Sequence, residues 1–344
     1  MPYLNILPLV LFPIVLLADP TVPGEKKPIT VPPPAGVIPD DPWYIDDAKT
    51  LELLTEKITG FAKSGKTLSN EKLKAKMKPA KVALNLAKPG DKRLSPEEVY
   101  QQVLPSVFVI GSIYTNKDNG EWVSGIYGTA WAASADGVLV TNWHVFEDLE
   151  PDEVFGAIDH KGNVYPLIDF LGGDKVADVA VVKIGASGLT PLPVAAGPAP
   201  VASWVGVLSH PADHFYVFTQ GHVTRYSRYT NDDGERERWM GITAEYASGS
   251  SGAPVLNDRG AVVGMTALTL TLDSPPEEPK PEEKKDRRRL SRRIKAQDKP
   301  PPKDDPKAKP DPMPKEKPEV KPSNVQMIMK LAVPGPLIRE TFRK

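Results

Sequence analysis

The chain has 344 residues, of which 38 are proline and none is cysteine, and its net charge is −1. The length accommodates one large or two modest domains, and proline this abundant and this unevenly spread places part of the chain outside ordinary globular structure. The near-zero charge gives no overall pull toward nucleic acid or anionic membrane, so nucleic acid is not an expected partner. The lack of cysteine excludes disulfides and thiolate metal sites.

Met1 to Ala18 is almost wholly apolar, interrupted by Pro8 and Pro13. It is short for a spanning helix and suits the core of a signal peptide, with Leu16-Leu17-Ala18 before Asp19 as the cleavage site; an uncleaved membrane anchor is the alternative. Both imply an exported protein, periplasmic or secreted. Residues 19–43, with Val31-Pro32-Pro33-Pro34 and Pro39-Asp40-Asp41-Pro42, read as a proline-rich extended linker. Leu51, Leu53, Leu54, Ile58 and Phe61 then recur at helical spacing and predict a helical, charged arm over 44–94. Its lysines, Lys72, Lys74, Lys76, Lys78 and Lys81, suit a pair of solvated helices leaning on the rest of the protein better than a partner-binding face.

Ser95-Pro96-Glu97-Glu98 is a helix start: Ser95 caps, Pro96 takes the first helical position and Glu98 completes a capping box. The short helix to Leu104 runs into the strand Pro105 to Ile110, and strands continue through Trp122 to Ala133, with turns at Asn116 to Gly120 and Asp136-Gly137. The apolar run Gly137-Val138-Leu139-Val140 ends at Thr141-Asn142-Trp143-His144, which leaves a histidine just past a strand end. Asp178 opens the strongly apolar strand Val179 to Ile184, where an isolated charge is costly to bury without a partner. Asp159, Asp169 and Asp174 open no such strand and read as loop or strand-end acids. His210, His214 and His222 lie close in sequence, but no helix or strand period puts them on one face, so no metal site is expected. Arg225 to Arg238 is a polar hairpin turning at Asn231-Asp232-Asp233-Gly234.

Ala247-Ser248-Gly249-Ser250-Ser251-Gly252-Ala253-Pro254-Val255 is a run of small residues between strand-like segments. Alone it reads most simply as a hairpin turn. With a base and an orienting acid available, the same turn can present a serine nucleophile beside converging backbone amides. His144, Asp178 and Ser251 supply such a set. Their His-Asp-Ser order is that of the chymotrypsin β-barrel arrangement, whereas α/β-hydrolases run Ser-Asp-His. The nucleophile-elbow pattern of those hydrolases also fails here, because position 253 is alanine.

On these residues the chain resembles the trypsin-like serine proteases of the HtrA (DegP-like) branch. The matching segments are Ser134 to Val145, Asp178 to Ile184 and Gly249 to Pro254, with weaker matches at Val205 to Pro211 and Thr219 to Thr224. The resemblance implies an all-β fold of two antiparallel barrels with the active site between them, over 95–272 plus 324–344. Barrel 1 would cover about 105–193 and barrel 2 about 200–272 and 324–334, with Val194 to Pro200 as the crossing. It implies a serine endopeptidase acting on protein or peptide substrates with no cofactor. In that role Ser251 is the nucleophile, His144 the base, Asp178 its orienter, and the N–H groups of Gly249 and Ser251 the oxyanion hole. By family register Glu245 and Tyr246 stand at the first specificity pocket, where a buried Glu245 would favour a basic substrate side chain. Val325 to Pro334 resembles the last barrel strand, and Pro336 to Phe342 a closing helix. Residues 273–323, rich in Pro, Lys, Glu, Asp and Arg and including Arg287 to Arg293, then become a disordered insertion. The remaining tail is too short for a PDZ domain, unlike most of the family. Ser250 stands where Asn or Asp is usual, which argues against activation by a freshly cut N-terminus. The same fold with silent chemistry, kept for binding, or with esterase activity remains open.

Overall fold

The computed structural model describes residues 44–273 and 325–343, apart from Asp118 and Asp232. The expected signal, the proline-rich linker, the charged insertion and its arginine run lie outside the described residues.

The described chain opens with helix α1 (Asp47–Lys63), capped by the Asp46 carboxylate, and α2 (Asn70–Lys76), capped by Ser69. A two-residue strand β1 (Val82–Ala83) follows, then α3 (Pro96–Val103) with the expected Ser95–Glu98 capping box. Six strands come next: β2 (Val107–Thr115), β3 (Trp122–Ala132), β4 (Val138–Thr141), β5 (Val154–Ile158), β6 (Val164–Asp174) and β7 (Val179–Ile184). They close into an antiparallel barrel in the order β2-β3-β4-β7-β6-β5. The second set is β8 (Trp204–Ser209), β9 (Val217–Thr230), β10 (Arg236–Ile242), β11 (Pro254–Leu256), β12 (Val262–Asp273) and β13 (Val325–Pro334). It closes in the order β10-β13-β12-β11-β8-β9, with β13 hydrogen-bonded to both β10 and β12. Helix α4 (Gly335–Thr341) leads to β14 (Phe342–Arg343), which pairs in parallel with β1.

Each barrel has its own core. Phe108, Ile110, Phe155, Leu167 and Phe170 fill the first; Val205, Val207, Met240, Val255 and Val263 fill the second. A third cluster joins Leu54, Val103 and Trp131 to Leu208, Leu256 and Ile338, and so seals the two barrels and the arm together.

The helical arm leans on barrel 1 through one buried face. Leu54 and Ile58 of α1 and Leu73 of α2 are fully buried. Glycines on two barrel strands make the room: a Cβ at Gly111 would meet Leu54 at 2.6 Å, and one at Gly156 would meet Ile58 at 2.8 Å. Burying each of these aliphatic side chains contributes about 1.5–3 kcal/mol. The helical period had shown an apolar face; the surface it faces is the side of barrel 1, not water.

Candidate active site

His144 sits in a single 3₁₀ turn, Trp143–Phe146, directly after β4. The turn is pinned from both sides by its aromatics. Trp143 and Phe146 meet Phe170 edge-on at 5.3 and 5.8 Å, and Phe146 meets Phe155 at 5.1 Å. β4 pairs with β7 through Thr141 and Ala180, so residues just past the end of one strand lie beside those just before the other. Asp178 falls there, at φ 56°, a left-handed conformation that aspartate tolerates better than most residues.

The carboxylate of Asp178 meets His144 twice. Oδ1 accepts the His144 backbone N–H at 3.0 Å, and Oδ2 lies 2.8 Å from Nδ1. Asn142 Nδ2 donates to the Asp178 carbonyl at 2.9 Å, fixing the backbone that carries the acid. The far ring nitrogen, His144 Nε2, lies 2.9 Å from Ser251 Oγ. Partial burial lowers the His144 pKa, but the hydrogen bond and charge of Asp178, with Glu147 behind them, outweigh it and leave a net rise.

The serine comes from the turn between β10 and β11. Gly249 has φ 87°, and a Cβ there would stand 2.5 Å from the His210 carbonyl, so only glycine fits. Barrel 1 grips this turn through Thr129 of β3, whose N–H donates to the Ser251 carbonyl at 2.7 Å and whose hydroxyl donates to the Gly249 carbonyl at 3.1 Å. On the other side, Thr266 of β12 accepts the Gly252 N–H at its carbonyl and the Ala253 N–H at its hydroxyl. Ser250 is fully buried and bonds Ser209 Oγ at 3.1 Å. Among the described residues, neither the Gly249 nor the Ser251 N–H has an acceptor within the protein. They are two free donors beside a hydroxyl that is hydrogen-bonded to an imidazole. A cleft of about 210 Å³ opens on the His144 and Asp178 side of this line, walled also by Trp143, Glu237, Trp239 and Leu268. A larger hollow of about 390 Å³, over Tyr226, Trp239 and Leu337 on barrel 2, holds none of the three residues.

Residues 128–265 match the family model of the trypsin-like peptidase domain. Over this stretch the chain is similar to trypsin-like peptidases. Its similarity extends to HtrA-type serine endoproteases. Serine endoprotease DegS of Haemophilus influenzae is 27% identical over 155 residues, covering 44% of this chain and 44% of that protein. DegS of Escherichia coli K12 is 28% identical over 135 residues, 39% of this chain and 37% of that protein. A probable periplasmic serine endoprotease, DegP-like, of Chlamydia pneumoniae is 30% identical over 141 residues, 41% and 28% respectively. The chain thus spans less than half the length of these curated relatives.

The structure brings His144, Asp178 and Ser251 together and leaves the rival acids elsewhere. Asp159 accepts from Lys161 and Asn163, Asp169 pairs with Lys76, and Asp174 accepts from Ala177. Of the three histidines considered for metal, His222 is exposed on β9 opposite Trp204. His210 is buried and accepts the Tyr216 N–H, its pKa pushed down to about 3 by burial, whereas His214 pairs with Asp47. Glu245 departs from the pocket expectation: its side chain is 78% exposed and meets the largely buried Lys330 at 3.3 Å. Tyr246 is buried, with its hydroxyl donating to the Leu268 and Leu331 carbonyls at 2.9 and 2.8 Å. Burial raises its pKa. Thr129, Thr266 and Asn142 had no sequence signal of their own, because each acts through contacts made only once the barrels pair.

Proposed function

We propose that this protein is a serine endopeptidase using His144, Asp178 and Ser251. The observation that carries this reading is the continuous hydrogen-bonded line from carboxylate to imidazole to hydroxyl, at 2.8 and 2.9 Å. The Ser251 hydroxyl adds to a peptide carbonyl carbon while Nε2 of His144 takes its proton. The carbonyl π electrons move onto oxygen, where the N–H groups of Gly249 and Ser251 hold the charge. On collapse the C–N bond breaks and His144 returns the proton to the departing amine. Water then repeats the sequence on the acyl-enzyme. Asp178 keeps Nδ1 protonated and stabilises the imidazolium. The apolar N-terminus and the word "periplasmic" in the relatives' names support export and a role in extracytoplasmic protein quality control or processing, on protein or peptide substrates.

The test is labelling by a fluorophosphonate together with hydrolysis of casein and of a peptide and ester panel. Wild type should label and cleave peptides. Ser251→Ala and His144→Ala should do neither, with turnover falling by about 10⁴-fold or more. Unlabelled wild type would point to a fold kept for binding, and cleavage confined to esters would point to an esterase.

A further inference from the structure

The oxyanion donors of the proposed mechanism need aiming as much as they need to be free. A peptide unit is planar and trans, so the carbonyl of one residue and the N–H of the next point in opposite directions. Whatever holds the Ser248 carbonyl therefore aims the Gly249 N–H. In this structure the holder is the Ala212 N–H, 2.7 Å from the Ser248 oxygen.

Ala212 lies in a turn that its sequence does not favour. Ala212, Asp213 and Tyr216 have φ of 47°, 62° and 57°, in the left-handed region that non-glycine residues avoid. Such a turn persists only where its surroundings over-determine it. Two groups do so. His210 Nδ1 accepts the Tyr216 N–H at 3.0 Å. The second comes from far away in sequence: Asp47, the first residue of α1. Its Oδ1 accepts the Phe215 N–H at 3.0 Å, and its Oδ2 lies 3.2 Å from His214 Nδ1. Helix α1 itself is seated in barrel 1 by Leu54 and Ile58, so Asp47 is presented from a rigid base.

We propose that Asp47 is a positioning residue for the oxyanion turn: anchored on barrel 1 through α1, it holds the 211–216 turn whose Ala212 N–H sets the Ser248–Gly249 peptide. The catalytic part of this inference rests on the endopeptidase reading; the structural coupling stands by itself. Ser250 occupies the core position behind the nucleophile, where its hydroxyl bonds Ser209 Oγ at 3.1 Å and accepts the Ala247 N–H at 3.4 Å. Asp47 brings a carboxylate from the arm to the neighbouring 211–216 turn.

The experiment compares the full chain with Asp47→Ala, Asp47→Asn, His214→Ala and Asp46→Ala. Asp46 caps the same helix through the Lys49 N–H and touches no residue of the 211–216 turn by hydrogen bond, so its variant reports the effect of a loosened arm alone. Hydrogen–deuterium exchange should rise in Asp47→Ala over both 211–216 and 247–252, but not over 247–252 in Asp46→Ala. In the same variant kcat should fall on the order of ten- to a hundredfold with KM little changed, and a peptide boronate should lose affinity in proportion. Asp47→Asn, which keeps an acceptor for the Phe215 N–H, should retain most of the activity. His214→Ala, a change at an exposed ring, should cost only a few-fold. Exchange that rises over 211–216 but leaves 247–252 unchanged would overturn the inference, as would equal losses of kcat in the Asp46 and Asp47 variants. A wild type that neither labels nor cleaves would remove the endopeptidase reading, and the exchange comparison would still decide the coupling.

Discussion

The two barrels hold their halves of the site by different means. In barrel 1 the histidine turn is fixed by side-chain packing, with Trp143, Phe146, Phe155 and Phe170 interlocked beneath it and α1 buttressing the wall. In barrel 2 the serine turn is built of small residues and is held by hydrogen bonds from the backbone and hydroxyls of Thr129 and Thr266 and from the Ala212 N–H. Aromatic packing tolerates small displacements and resists unfolding. A turn held by amides and special φ values has little apolar surface to lose but depends on angle. Damage to barrel 1 should therefore register mainly in stability, and damage to the serine turn mainly in turnover.

The largest expected effect sits where the two halves meet. Asp178→Asn keeps the shape but lets Nδ1 become the acceptor, and kcat should fall by about 10⁴-fold with the melting temperature little changed. Gly249→Ala tests barrel 2 alone. The added Cβ would strike the His210 carbonyl at 2.5 Å and the residue would be forced to φ 87°, so kcat should drop about 10²–10³-fold by loss of the aimed amide. Leu54→Ala tests barrel 1. It should cost about 2–5 kcal/mol in urea unfolding, while kcat of the folded fraction stays near wild type. Equal losses of turnover in the last two variants would break the comparison.

A pH profile sharpens it. The His144 pKa is raised above 6.5. The neutral ring is the base, so kcat/KM should fall as pH drops through a midpoint above 6.5, and that midpoint should move down in Asp178→Asn. The smallest effect concerns Glu245. Because it faces solvent, Glu245→Gln should leave the ratio of rates on basic and neutral substrate side chains unchanged and alter stability by no more than about 1 kcal/mol.

The triad residues were legible because each ends or begins a short apolar strand or lies in a run of small residues, and strand ends are where loops present side chains. The barrels were legible by resemblance more than by alternation, since β4 and β7 are buried along nearly their whole length and show no period of two. The seat of α1 was legible only as a leaning on the rest of the protein: an amphipathic period announces that a face is buried but does not name the strands that bury it. The 211–216 turn was hidden for another reason. Its left-handed positions carry Ala, Asp and Tyr, not glycine, so local composition gave no sign of its conformation. The orientation of Glu245 was open because one residue of slip at a strand end reverses which side a side chain faces.

The placement of β13 has a consequence in time. All three triad residues, and the turn that carries the serine, precede residue 255, yet the gap between β10 and β12 is filled only by residues 325–334. At roughly 5–20 residues per second of synthesis, a few seconds separate the end of β12 from the arrival of the strand that completes the wall. During that interval the chain carries every reacting group and only one closable barrel. The order of the strands thus makes the closing of barrel 2 the last step of assembly, after every residue of the candidate site has been made.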